Sequence, residues 1–415
     1  MKKMMLIGAC AVSNSVFANS FIEDSKFDLT ARNFYFDRNF TEESATPAAK
    51  DWAMGLILNG SSGYTPGYIH FGVDVLATAG FKLYSDEKYG GTGLLIRDPI
   101  TNKAEDTFAE IGFTGKMKYS QTEVKFGTLR PANPVLFASI ARLLPQTYQG
   151  VSIQSKEITG LELQAAYLDQ VNHRDSTNYE NIKMNGVNGR FKAAETSGLY
   201  YAGGFYQLAP NTQLSAFYLD VNNLYNQYEV GVNHDYKINE QFNFISDLRF
   251  YRSRDDGQAK AGNVDNDLIY ANFSLRYDVH KFSLGMMSHH GETAFPYLSG
   301  GETSLFVTTW PADFLNAKEQ VYSARYDADL KNIIPGLRTM LRYTYGNNIH
   351  APNLGGTNLK EREMDYELGY RFQSGYLKDL SFGLRHAIYR NNMSSKANIK
   401  PADESRVNID YTWKF

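Results

Sequence analysis

Cysteine is nearly absent from this chain: the single one, Cys10, falls among the first few residues. Disulfides therefore cannot hold the fold together, and an exported chain of this length needs a large folded framework instead. Long apolar runs are missing too. After Val12 no stretch of about 18 apolar residues occurs, and the mean hydropathy is −0.42, so no transmembrane helix is expected. No excess of positive charge is present either, since 42 Lys and Arg face 45 Asp and Glu, and nucleic acid is not an expected partner. The chain also lacks a Gly-x-Ser-x-Gly elbow and a phosphate-cradling Gly-Lys-Ser/Thr motif. His289-His290 has no third ligand at recognisable spacing, so it reads as a solvated pair in a loop; no metal, cofactor or enzymatic activity is expected.

What is present begins with a leader. Met1-Lys2-Lys3 is charged, Met4 to Val12 is apolar, and Val16-Phe17-Ala18 has the small residues of a cleavage site. Residues 1–18 are expected to be a signal peptide removed on export, with 19–415 as a single domain. Ile7-Gly8-Ala9-Cys10 leaves open a lipoprotein signal, though its apolar core would be very short. The 29 Tyr, 26 Phe and 34 Gly make the chain unusually aromatic while it stays polar on average. A membrane protein of that composition can only be a closed β-barrel, because closure is the other way to satisfy every backbone polar group in lipid.

Periodicity points the same way. Val407, Ile409, Tyr411, Trp413 and Phe415 alternate with Arg406, Asn408, Asp410, Thr412 and Lys414. One face is aromatic and the other polar, as lipid outside and water inside require. The alternation recurs with Phe382, Leu384 and Ile388 against Arg385, with Tyr366, Leu368 and Tyr370 against Glu367 and Arg371, and along Phe242–Phe250 and Ile269–Tyr277. Each segment is about nine or ten residues, enough for a tilted strand to cross the hydrocarbon. Short turns near 61–67, 116–121, 158–160, 208–212, 236–240, 278–280, 329–337 and 373–378 alternate with long loops near 38–50, 84–106, 131–150, 169–198, 252–266, 288–319, 346–361 and 391–404, with one short loop near 221–226. These breaks delimit about eighteen antiparallel strands, from Phe27–Phe36 to Arg406–Phe415, with both termini in the periplasm. A barrel this wide cannot be filled by its own side chains, so a wet lumen is expected.

Several stretches resemble the OprD family of substrate-specific outer-membrane porins. They are Gly127-Thr-Leu-Arg-Pro131 followed by Arg142-Leu-Leu-Pro-Gln-Thr-Tyr-Gln-Gly150, Gly93-Leu-Leu95 after Asp51 to Asn59, Tyr201-Ala-Gly-Gly204, Phe295-Pro-Tyr-Leu298 and Gln373 to Asp379. The resemblance runs over essentially the whole mature chain. It implies an outer-membrane location, an eighteen-stranded barrel narrowed by an inward-folded third loop, and a ladder of arginines that guides carboxylate-bearing solutes. Phe415 at the terminus also fits the signal read by the barrel-assembly machinery.

Parity tests the ladder. With the aromatic faces outside, Arg32, Arg249, Arg276, Arg325, Arg342, Arg371, Arg385 and Arg406 all project inward. Arginine suits the task because its planar, permanently charged guanidinium meets a carboxylate with two parallel hydrogen bonds. The competing reading is scattered inward charge neutralised by Asp247, Asp327, Glu367 and Asp410. Loop 131–150, with Pro131, Pro134, Pro145 and the apolar Val135-Leu-Phe-Ala, is expected to fold inward and place Arg130 and Arg142 at the narrowest point, unless it packs on a neighbouring subunit. Tyr148, Tyr297 and Asp313 are weaker candidates for an opposing wall, an assignment that rests on the resemblance. The expected partners are small anionic or zwitterionic solutes, outer-membrane lipid and lipopolysaccharide, with the chain either a monomer or a loose homotrimer. A general diffusion pore, a surface receptor or adhesin with a closed lumen, and a membrane hydrolase are the alternatives.

Overall fold

The computed structural model describes residues 19–42, 46–305 and 309–415, so the expected leader at 1–18 lies outside it. After a short helix, α1 (Asn19–Glu23), the wall is built from β1 (Lys26–Phe40), β2 (Ala48–Ser61), β3 (His70–Ser85), β4 (Thr107–Tyr119), β5 (Thr122–Leu129), β6 (Thr147–Ser155), β7 (Leu161–Asn172), β9 (Leu199–Ala209), β10 (Thr212–Val221), β11 (Tyr225–Lys237), β12 (Phe242–Asp255), β13 (Asp265–Tyr277), β14 (His280–His290), β15 (Gln320–Asp329), β16 (Leu337–Ala351), β17 (Gly356–Arg371), β18 (Ser381–Asn391) and β19 (Ala402–Lys414). All neighbours are antiparallel, and β1 pairs with both β2 and β19, which closes eighteen strands into a barrel. The short β8 (Tyr179–Asn181) is one extra strand laid against the loop end of β7. At the seam the Phe415 amide donates to the Phe27 carbonyl at 2.9 Å.

Alternation decides which face each residue takes. Along β17, Glu361, Glu363 and Asp365 are buried towards the interior while Lys360, Arg362, Tyr366 and Leu368 are exposed on the outside. Along β13, Tyr270, Asn272 and Ser274 are buried inside, and Ile269, Phe273 and Leu275 form part of an outer apolar band. That band suits acyl chains, and its opposite face is polar, as a transmembrane barrel requires.

The strands are longer than the alternating segments suggested. β16 and β17 have 15 and 16 residues and meet across 352–355, so the expected long loop at 346–361 is a strand hairpin. His289 and His290 likewise close β14 and do not sit in a loop. His289 is buried while His290 is exposed, so only one of the two is solvated, and among the described residues no three ligating side chains cluster.

Among the described residues, the connections at the long-loop end that enter the barrel include loop 3 (130–146), loop 4 (173–198) and loop 7 (291–319). Val135, Leu136 and Ala138 of loop 3 are buried in one cluster with Leu168, Leu199 and Leu219 of the wall. Leu143 is buried in a second cluster, with Phe34, Phe36 and Ala53. Loop 3 therefore crosses the lumen from β7–β10 to β1–β2. At the landing point Gly55 is required for close approach, because a Cβ there would lie 3.0 Å from Leu143 Cδ1 and 3.3 Å from its carbonyl oxygen. Loop 7 meets loop 3 through a bridge between Phe137 and Glu302.

Candidate functional site: a cation-rich constriction

Where loops 3, 4 and 7 converge on β1, β15–β19 they leave a cavity of about 930 Å³. Its lining holds eight arginines, Arg32, Arg38, Arg142, Arg174, Arg325, Arg342, Arg385 and Arg406, against four carboxylates, Glu302, Asp313, Glu367 and Asp410. Strand parity positions Arg32, Arg38, Arg325, Arg342, Arg385 and Arg406, while the loops carry Arg142 and Arg174.

Most wall arginines are paired. Arg32 Nε donates to Asp410 at 2.9 Å, and Arg385 Nε lies 3.0 Å from Glu367. Arg325 bonds Asp327, and Arg342 bonds the fully buried Asp365 at 2.8 Å. Arg38 and Arg406 share one carboxylate, Glu404, at 2.5 Å each. Thus Asp327, Glu367 and Asp410 do neutralise individual arginines, as the competing sequence reading held. Arg142 and Arg174 have no such partner: among the described residues neither is within ion-pair distance of a carboxylate. Arg142 donates to the carbonyls of Thr92 and Ala141 at 2.9 and 3.1 Å, and Arg174 to the Ser139 hydroxyl at 3.1 Å. Burial, then the Arg406 and Arg174 guanidiniums, pull the Arg142 pKa well below the ordinary arginine value. Charge at this position is therefore uncomfortable unless an anion joins it.

Two aromatic rings organise the cations. Arg38, Arg142 and Arg406 lie over Phe36 at 5.4, 5.2 and 5.0 Å, and Arg342, Arg385 and Arg406 over Trp310 at 5.8, 5.2 and 6.0 Å. Such stacking orients planar guanidiniums while leaving their edges for ligands.

Opposite, Asp313 receives a two-bond fork from Arg190 at 2.6 and 2.8 Å and the Tyr297 hydroxyl at 2.8 Å. Burial would raise its pKa, but Arg190 and Tyr297 overcome that and hold the carboxyl below its usual range. Tyr297 and Asp313 both line the cavity. Glu302 is bound by the Ser139 hydroxyl at 2.5 Å and the Ala141 amide at 3.2 Å, which ties loop 7 to the tip of loop 3.

Other residues singled out in the sequence lie elsewhere. Tyr148 is fully buried beside Leu129, Leu168 and Tyr225, so it stands behind the lining and not on it. Arg130 does not join Arg142; it faces a separate 500 Å³ cavity with Lys26, Asp28, Asp74 and Lys125, and donates to Asn59 at 3.2 Å. Arg276 lines a third cavity, with Lys281, Arg325 and Arg338. Arg249 is forked to Asp247 and donates to the Ser304 hydroxyl at 2.8 Å, anchoring loop 7. Arg371 is half-exposed and paired with Asp379 in the turn after β17. Conversely, Arg38, Arg174, Trp310 and Glu302 line the cavity without having been singled out. Arg38 carried a signal, since it shares the parity of Arg32; the three loop residues carried none.

Comparison with known proteins agrees with this architecture. The family described as outer membrane porin, OprD family, matches residues 19–415. Porin D of Pseudomonas aeruginosa is 32% identical over 424 residues, covering 96% of this chain and 93% of the relative. Among solved structures, OccAB2 of Acinetobacter baumannii is 64% identical with a TM-score of 0.92, covering 95% of this chain and 99% of that one. OpdK of P. aeruginosa, solved with vanillate, is 32% identical with a TM-score of 0.88, covering 95% and 100%. The chain therefore belongs to the OprD family of outer-membrane porins and is a channel of that membrane, not an enzyme.

Proposed function

We propose that the channel selects small carboxylate-bearing solutes, organic acids and amino acids, and passes them by diffusion along its inward arginines. The observation that carries this reading is Arg142, a partly buried cation of loop 3 that stacks on Phe36 and, among the described residues, donates its hydrogen bonds to backbone carbonyls and to no carboxylate. Together with Arg174 it leaves the cavity short of negative charge, which a passing carboxylate supplies. The paired arginines on the wall serve as weaker neighbouring stops, since conduction needs several shallow sites in place of one deep one. Phe36 and Trp310 add apolar faces beside those sites, which suits a ring-bearing acid such as the vanillate held by the OpdK relative.

Planar-bilayer recordings test the proposal. Aromatic and aliphatic monocarboxylates added to chloride-bathed channels should block the current at millimolar concentration, whereas neutral sugars should not. A pore with equal response to both is a general diffusion pore, and a pore without current is a closed receptor.

A further inference from the structure

The outside of the barrel carries a second cationic feature, of opposite parity to the first. On β17, Lys360 and Arg362 are exposed and alternate with the buried Leu359, Glu361 and Glu363. Arg362 lies directly across the ladder from Arg390 of β18 on one side and from Tyr345 of β16 on the other. The same outward row continues towards the barrel middle as Met364, Tyr366 and Leu368. The cluster thus stands at the upper margin of the apolar band, at the end of the barrel that bears the long loops. Pore solutes cannot reach it, because the wall separates the two faces.

Its charges are poorly compensated. Asp403 sits 2.8 Å from Arg390, and among the described residues Lys360 and Arg362 have no ion pair. Like charges directly opposite each other on a sheet repel. Elsewhere on the outer surface the chain avoids that cost: Arg252 and Arg254 meet Asp265 and Asp267, and Lys50 meets Asp37. A cross-strand arginine pair beside a lysine, at the level where lipid head groups begin, is stable when a multiply charged anion lies over it.

We propose that Lys360, Arg362 and Arg390 form an outer-surface site for a phosphate of lipopolysaccharide in the outer leaflet. The phosphate oxygens would accept from both guanidiniums and the ammonium, while the acyl chains follow the row Met364, Tyr366 and Leu368. This site is independent of what the lumen selects, so its failure leaves the pore assignment untouched.

The test uses detergent-purified full barrel titrated with three probes: intact lipopolysaccharide, the same lipid dephosphorylated, and inorganic phosphate. K360A/R362A should bind intact lipopolysaccharide roughly ten-fold or more weaker than the wild type. The dephosphorylated lipid should bind both proteins equally weakly, and R252A should match the wild type. Retained heat-modifiable migration on a gel shows that each variant is folded. Equal binding of intact lipid by wild type and K360A/R362A, or loss in R252A as large as in that variant, overturns the site. Inorganic phosphate that competes as well as the lipid also overturns it, by showing a plain anion site.

Discussion

Arg190 Nη1 and Nη2 meet the two oxygens of Asp313 side by side, joining loop 4 to loop 7 at the edge of the cavity. The pair is mostly buried, at 6% and 16% side-chain exposure, so each member depends on the other.

Asp313→Asn should therefore leave an unmatched buried cation and destabilise the loop arrangement by about 3–5 kcal/mol, while the barrel itself stays folded. Single-channel traces should become noisier. The pH dependence has a defined sign. Asp313 has a depressed pKa, so its stabilising contribution is present above the normal carboxylate range and is lost as pH falls through the folded value. Wild-type traces should thus remain quiet at neutral pH and grow noisy only in acid, and the variant should be noisy throughout. Quiet recordings from the variant at neutral pH would contradict this.

Charge reversal at the constriction gives a second expectation. Arg142→Glu and Arg385→Glu should both lower anion preference, measured as reversal potential in a salt gradient, and slow carboxylate uptake. The loss should be larger for Arg142, because Arg385 already has Glu367 at 3.0 Å. A charge-assisted contact is worth about 1.5–3 kcal/mol, so roughly a ten-fold or greater fall in carboxylate flux is expected for Arg142. Unchanged selectivity in both variants would remove the arginines from the mechanism.

Loop 7 ends on Glu319, whose carboxyl is fully buried and accepts from the Asn316 amide at 3.0 Å and its side chain at 2.9 Å. The same Asn316 side chain donates to Glu361 at 2.7 Å, bringing two carboxyls together. Burial, then the proximity of Glu361, raises the Glu319 pKa well above its usual value. A carboxyl with a raised folded pKa stabilises the fold fully below its unfolded pKa, and the contribution fades as pH climbs towards the folded one. Glu319→Gln keeps an acceptor for Asn316 and cannot ionise. Hydrogen exchange of 310–319 should therefore quicken beyond the intrinsic rate as pH is raised above the ordinary carboxylate range in the wild type, and not in the variant.

A fourth expectation concerns the landing of loop 3. Gly55→Val would push side-chain carbons into Leu143, costing about 1–3 kcal/mol locally. Loop 3 should lift from β2, and conductance should change without loss of heat-modifiable migration. An unaltered conductance would show that the Leu143 contact does not set the pore.

The transmembrane part of the fold was legible because lipid on one side and water on the other write a two-residue period into each strand. That period fades above the membrane. Lys360 and Arg362 are outward-facing residues in charged surroundings, so β17 continues where no apolar alternation marks it, and the β16–β17 hairpin has the sequence character of a loop. The inward arginines of the strands followed from parity. Their grouping into separate cavities did not, because it depends on where loops 3 and 7 land. Tyr148 illustrates the same limit: it is the second residue of β6, under the loop, and only the three-dimensional course of Val135 to Ala138 shows that it is covered.

The seam at β1 has a bearing on biogenesis. Its two edges are joined to β2 and to β19, which lie far apart in sequence, so the circle stays open until β19 is in place. Until then the sheet has two raw borders and no enclosed passage. Enclosure of the passage thus hangs on one pairing between strands far apart in sequence.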